Sequence, residues 1–200
     1  MKTPYSSANQ QFSDMAHEAA QELIYPKIFE TTKDRLTFVS TSLATSDKNR
    51  ILDGEMATDR IVNVTVNTLR RPLQFTIQER FRRVQYSRFQ DVTITEWNNR
   101  SGQPSELYKL NSGVFVYGYF DDTRKTFDDW VAFNTVGFLY VMASGKCTVQ
   151  KRRNGRSSQD FYTVPFDFLQ QNGLILSRKV HKNSSNDIPE WARGYQTTLF

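Results

Sequence analysis

What most constrains the fold is a pair of runs, Asp59-Arg60-Ile61-Val62-Asn63-Val64-Thr65-Val66 and Leu73-Gln74-Phe75-Thr76-Ile77-Gln78-Glu79-Arg80-Phe81-Arg82, joined by Asn67-Thr68-Leu69-Arg70-Arg71-Pro72. In the second run Leu73, Phe75, Ile77 and Phe81 fall at alternate positions. A pleated strand sends such residues to one face and Gln74, Thr76, Gln78, Arg80 and Arg82 to the other. The pair therefore predicts an antiparallel hairpin with an apolar face, a stripe of amide and guanidinium groups behind it, and an acid, Asp59, at one mouth. A stripe of that chemistry suits an anionic ligand and a metal held against the sheet.

The flanking sequence supplies the rest of the fold. Phe12, Met15, Ala16, Ala19, Ala20 and Leu23 recur at three- and four-residue intervals, which predicts a helix over 9–24, with a break or kink at Pro26. Leu36, Phe38 and Val39 fit a strand or part of a second helix, and Thr45 to Arg50 reads as a loop. Alternation and β-branched residues predict a third strand over 91–97, followed by a turn at Asn98 to Gly102 and a short helix within 105–111. Two more strands follow at 114–120 and 130–133, across the polar loop Asp121 to Lys125. The unbroken apolar run of the first marks a central buried strand rather than an aromatic platform for bases. Helices are predicted over 135–144 and 165–171, the second stopped by Gly173. The expected fold class is α/β (α+β), with a central mixed sheet of roughly four to five strands that begins with the hairpin and is flanked by helices. No repeat or linker divides the chain, so residues 1–180 are expected to form one domain and 181–200 an irregular tail.

Composition narrows the function classes. The chain has 200 residues, including 15 Phe, 9 Tyr and 3 Trp, enough for one packed core. It contains no apolar run of about 18 residues and no apolar secretory stretch at its start, and Cys147 is a lone cysteine. A soluble intracellular protein, cytoplasmic or nucleoid-associated, with no membrane partner is the expectation. The net charge of +5 is unevenly spread. Arg70, Arg71, Arg80, Arg82, Arg83 and Arg88 crowd the hairpin and its exit, and Lys146, Lys151, Arg152, Arg153 and Arg156 form a second basic stretch. Two such segments are an electrostatic footprint for phosphate, although exposed solubilising loops look the same. Glycine-rich phosphate loops are lacking, which disfavours nucleotide hydrolysis and NAD chemistry. His17 and His181 have no Ser or Cys at a recognised spacing, which disfavours a hydrolytic triad.

The order helix, hairpin, third strand, short helix, two strands, over about residues 9–135, resembles the core of the PD-(D/E)xK nuclease superfamily. The resemblance implies a restriction-endonuclease-like sheet and a phosphodiesterase using Mg2+ or Mn2+. Asp59 matches the first acid, and Gln78-Glu79-Arg80 lies where (D/E)xK belongs. It implies catalytic roles for Asp59, Gln78, Glu79 and Arg80, with Asp59 and Gln78 or Glu79 on the metal. Arg70, Arg71, Arg82, Arg83, Lys109, Arg152 and Arg153 would then guide nucleic acid, DNA ahead of RNA, and a homodimer would suit cleavage of both strands. Magnesium takes oxygen ligands in an octahedron, and a metal so held polarises phosphate and activates water.

The motif departs from the family at two positions. Alternation puts Gln78 where an acid is expected, and Arg80 replaces the lysine; arginine grips phosphate but stays protonated and cannot act as a base. Glu79 shares the face of Ile77 and Phe81, so a bulge would be needed to bring it to the metal. Asp59 otherwise terminates a strand, Asp53 and Glu55 flank a turn glycine, and Glu18 and Glu22 lie on a solvated helix face. Glu106 and Lys109 form a local ion pair or, as the resemblance implies, bring Lys109 to the motif strands; Tyr108 orients a substrate or packs. Two function classes follow: a magnesium-dependent endo- or exonuclease, and a catalytically inactive binding protein on the same scaffold.

Overall fold

The computed structural model describes residues 7–41, 57–145, 150–154 and 158–179. The tail over 181–200, the loop over 45–50, and Asp53, Glu55, Lys146, Arg156 and His181 lie outside the described residues. Helix α1 (Ser7–Leu23) follows the predicted periodicity, with Phe12, Ala16 and Ala20 buried one turn apart. Pro26 does end that helix, but it also sits in the first turn of a new one, α2 (Tyr25–Ile28), where a missing N–H costs nothing. Leu36, Phe38 and Val39 belong to a strand, β1 (Leu36–Ser40).

The hairpin forms as β2 (Arg60–Val64) and β3 (Leu73–Arg83), antiparallel, with Arg60 opposite Ile77 and Val64 opposite Leu73. Strand β4 (Asp91–Asn98), the two-residue β5 (Gln103–Pro104) and the single-turn helix α3 (Glu106–Lys109) come next. Strands β6 (Val114–Asp121) and β7 (Thr126–Asn134) pair antiparallel, β7 being longer than its apolar centre predicted. Helix α4 (Thr135–Ala143) is capped by the Asn134 side chain, which accepts the Gly137 N–H at 2.9 Å. The chain then adds β8 (Gln150–Asn154), β9 (Gln159–Pro165), α5 (Phe166–Gln171) and β10 (Ile175–Lys179), with Gly173 at φ +65° turning out of α5.

The fold is mixed α/β, with sheets flanked by helices, but the strands divide differently from the expectation. A six-stranded sheet runs β1-β2-β3-β6-β7-β10, and a separate four-stranded sheet runs β5-β4-β9-β8. The predicted third strand exists as β4, yet it leaves the hairpin's sheet and pairs antiparallel with β9, Val92 opposite Val164 and Ile94 opposite Tyr162. Within the larger sheet every pairing is antiparallel except β3 with β6, which is parallel from Ile77–Val114 to Arg83–Phe120. The parallel step needs a crossover, and β4, β5 and α3 provide it.

Both faces of the large sheet are covered. Phe12, Ala16, Ala20 and Tyr25 from α1 and α2 pack with Val62, Ile77, Val116, Phe120 and Trp130 on one side. Val92, Ile94, Val164 and Phe166 pack with Phe115, Tyr117, Tyr119 and Phe133 on the other. All eight residues of β6 are buried, the pattern of a strand with both faces in the core. At Gly118 the fit is tight enough that a Cβ would stand 2.9 Å from Phe127 Cδ1 and 3.2 Å from Trp130 Cβ.

Candidate functional site

Beyond Ile77, strand β3 has no pairing to β2 and is held by β6 on its other side. The edge so opened begins at Asp59. The Asp59 N–H donates to the Ile77 carbonyl at 2.9 Å, and its carboxylate accepts the Glu79 backbone N–H at 2.8 Å. An unsatisfied N–H at the fork is thereby capped by the acid singled out in the sequence. Next to this fork α1, β3 and β4 enclose a cleft of about 350 Å3 lined by Ser13, His17, Glu79, Arg80, Phe81, Arg82 and Thr93.

Glu79 is the electrostatic centre of the site. Alternation places it with Ile77 and Phe81, and it does face α1; its side chain has no exposed surface. Arg60 Nε donates to Glu79 Oε2 at 2.7 Å, His17 Nδ1 lies 2.5 Å from the same oxygen, and the Tyr25 hydroxyl donates to Oε1. Burial pushes the Glu79 carboxyl up, but the hydrogen bond and charge of His17, the charge of Arg60 and the Tyr25 hydroxyl together hold it below its ordinary value. Tyr25 responds oppositely: burial, then the Glu79 charge, raise its phenol well above the usual range. For Arg60, burial opposes the charge, and Glu79, Tyr25 and Asp59 together more than restore it.

Gln78, Arg80 and Arg82 point the other way, as alternation requires, but toward partners rather than open solvent. Gln78 Nε2 reaches Glu106 Oε1 at 3.3 Å, and Arg80 bonds Glu106 Oε2 at 2.9 Å and the Thr93 carbonyl at 2.9 Å. Glu106, read above as a local partner of Lys109, thus ties α3 to β3. The Arg82 guanidinium lies 3.6 Å from Asp91 and 4.4 Å from the centre of the Tyr86 ring. Arg83 bonds Asp122 at 2.6 Å and stacks over Phe12.

The remaining sequence candidates are scattered over the surface. Arg70 and Arg71 are exposed at the hairpin turn, Lys109 is exposed at the end of α3, and Arg152 and Arg153 are exposed on β8, an edge strand. Glu18 is exposed and Glu22 pairs with Lys33, as a solvated helix face would have it. Tyr108 is 63% exposed, with its hydroxyl donating to Glu96 at 3.3 Å. Sequence reasoning missed Arg60, Tyr25 and His17 as the partners of Glu79. The signal was present: Arg60 alternates with Val62 and Val64, so the hairpin's core face carries a cation on β2 as well as an anion on β3.

The donor set as placed does not fit magnesium. Both Glu79 oxygens already accept from Tyr25, His17 or Arg60, and Glu106 is neutralised by Arg80. Among the described residues no group of three or more His, Cys, Asp or Glu side chains is placed to hold a metal ion. The oxygen that stands apart is Gln78 Oε1, buried and without a hydrogen-bond partner. No helix among the described residues is long and apolar enough to cross a membrane. No protein-family model matches the chain, and no curated protein or solved structure matches it either.

Proposed function

We propose that the chain is a nucleic-acid-binding protein on a PD-(D/E)xK-like core, in which an ion network stands where that superfamily holds its metal. The observation that carries this reading is the cleft along the open half of β3, where Arg80 and Arg82 line a polar groove beside His17. Guanidinium groups held by fixed partners are oriented before phosphate arrives, so less side-chain entropy is lost on binding. The restriction-endonuclease-like core is supported by α1 preceding the antiparallel β1-β2-β3 run and by the parallel return of β6 beside β3. Arg70, Arg71, Arg152 and Arg153 add exposed positive charge for the backbone.

The test is fluorescence anisotropy with single-stranded DNA, duplex DNA and RNA across a salt series. Binding is expected to weaken linearly in log–log form, and Arg82→Ala to reduce the slope by about one unit. Salt-independent binding, or none to any of the three, overturns the reading. Sedimentation in the same buffers decides whether the binding unit is a homodimer.

A second reading, a magnesium-dependent nuclease with Asp59 and Gln78 at the ion, is favoured by the unpartnered Gln78 Oε1. It requires cleavage in Mg2+ or Mn2+ that stops in chelator and is abolished by Asp59→Ala and Gln78→Ala.

A further inference from the structure

The geometry points to a metal-independent activity: we infer that His17 is a general base that cleaves RNA through its own 2′-hydroxyl, with Arg80 and Arg82 binding the phosphate. The inference rests on the nucleic-acid reading of the cleft and extends it to a chemical step.

Three observations meet at His17. Its Nδ1 is committed to Glu79 Oε2 at 2.5 Å, which fixes the ring; in the neutral imidazole, the form that acts as a base, Nδ1 is then the donor and Nε2 carries the lone pair. Glu79 is in turn fixed by Arg60 and Tyr25, so the carboxylate cannot swing away from the imidazole. The His17 side chain remains 25% exposed in the cleft, with Phe81 packed against the ring at 5.2 Å. A carboxylate orienting an imidazole that faces a groove is the arrangement of a base and its positioning residue. A structural histidine bonded to a buried acid has no need of a groove with two arginines in it.

The chemistry selects the substrate class. An imidazole base needs a hydroxyl held close to the phosphorus, and RNA carries one, the 2′-hydroxyl, beside each phosphate. His17 Nε2 takes the proton of the 2′-hydroxyl, O2′ bonds to phosphorus, and the P–O5′ bond breaks. The 5′ oxygen leaves as a hydroxyl after taking a proton from water, and the protonated imidazole returns its proton to solvent. The products are a 2′,3′-cyclic phosphate and a 5′-hydroxyl end. Arg80 and Arg82 face the charge that grows on the phosphate oxygens.

The experiment uses the full chain in excess EDTA with a labelled RNA, the same sequence as DNA, and a 2′-O-methyl RNA. Cleavage of the RNA alone, ending in cyclic phosphate, is expected. His17→Ala should lower the rate by about 100-fold or more, and added imidazole should restore part of it. His17→Asn keeps an N–H for Glu79 and the fold but should be equally slow. Glu79→Gln should lower kcat with KM unchanged, marking it as positioning rather than binding. RNA bound but uncut in EDTA, cutting of DNA at the same rate, or cutting that survives in His17→Asn overturns the inference and leaves the binding reading intact. Absence of binding overturns both.

Discussion

Replacing Arg60 by Met isolates the energetic role of the buried network. The Arg60 side chain is 11% exposed and that of Glu79 has no exposed surface, so the substitution leaves a carboxylate in the core without its cation. Breaking such a pair from one side costs about 3–5 kcal/mol. Two donors remain, His17 and the Tyr25 hydroxyl, which places the cost at the lower end, about 3 kcal/mol. For a chain of this size that corresponds to a fall in Tm of about 6–12 °C. Urea unfolding followed by the fluorescence of Trp130, buried in the same core, gives the free energy directly, provided the m-value is unchanged. Adding Glu79→Leu to Arg60→Met should recover part of the loss, because the orphaned charge goes with it. A single-variant cost under about 1 kcal/mol, or a double variant no more stable than the single, would refute the claim that Glu79 is a buried anion held by Arg60. The pH dependence supplies an independent check. A carboxyl held below its ordinary value of 4.5 contributes stability that is complete above that pH and is lost as pH falls toward the folded value. In Arg60→Met the acid limb of the stability curve should therefore be shallower than in the wild type.

Other consequences of the packing are directly measurable. Gly118→Ala should cost about 1–3 kcal/mol in the same unfolding assay, because its Cβ would meet Phe127 at 2.9 Å and Trp130 at 3.2 Å inside a filled core; a neutral result would mean that β6 and β7 can separate. Asp129 is fully buried, and burial raises its carboxyl above 3.8 despite the charge of Arg178 nearby. A raised acid penalises the folded state as pH climbs through and beyond 3.8, so Asp129→Asn should gain stability relative to wild type as pH rises above that value. A difference that does not grow as pH rises from below 3.8 would count against a buried, raised acid.

The elements readable from sequence are those whose side chains report burial. Helix α1, the β2–β3 hairpin and β6 each carry an apolar rhythm that one or two covered faces impose. The strands that were missed carry little of it. Strand β8 reads Gln-Lys-Arg-Arg-Asn, and an edge strand paired to β9 on one side, with Lys151, Arg152 and Arg153 exposed, leaves no apolar alternation to detect. Its basic residues were visible, but as a charged stretch rather than as a sheet edge. The division into two sheets escaped for a different reason: β4 was predicted as a strand, but its partner is β9, where Asp91 meets Pro165. Periodicity says which face of a strand is buried and nothing about which distant strand lies beside it.

The same distinction governs the site. Alternation placed Glu79 with Ile77 and Phe81, and that assignment made it a poor metal ligand before any contact was known. A carboxylate in an apolar stripe must have a counter-charge or donors of its own. A buried charge persists only with partners, and the hairpin itself supplied one, since Arg60 shares the stripe of Val62 and Val64. Arg60 and Glu79 are diagonal neighbours across the β2–β3 ladder, Arg60 being opposite Ile77. His17 and Tyr25 could not be assigned this way, because their approach depends on how α1 and α2 cross the sheet. The cation on β2 and the anion on β3 divide the tripeptide Gln78-Glu79-Arg80 into two halves. Glu79 belongs to the core and to His17, while Gln78 and Arg80 belong to Glu106 and the second sheet. A strand that divides its polar residues between two faces in this way cannot gather them around one ion without giving up one of its two packings.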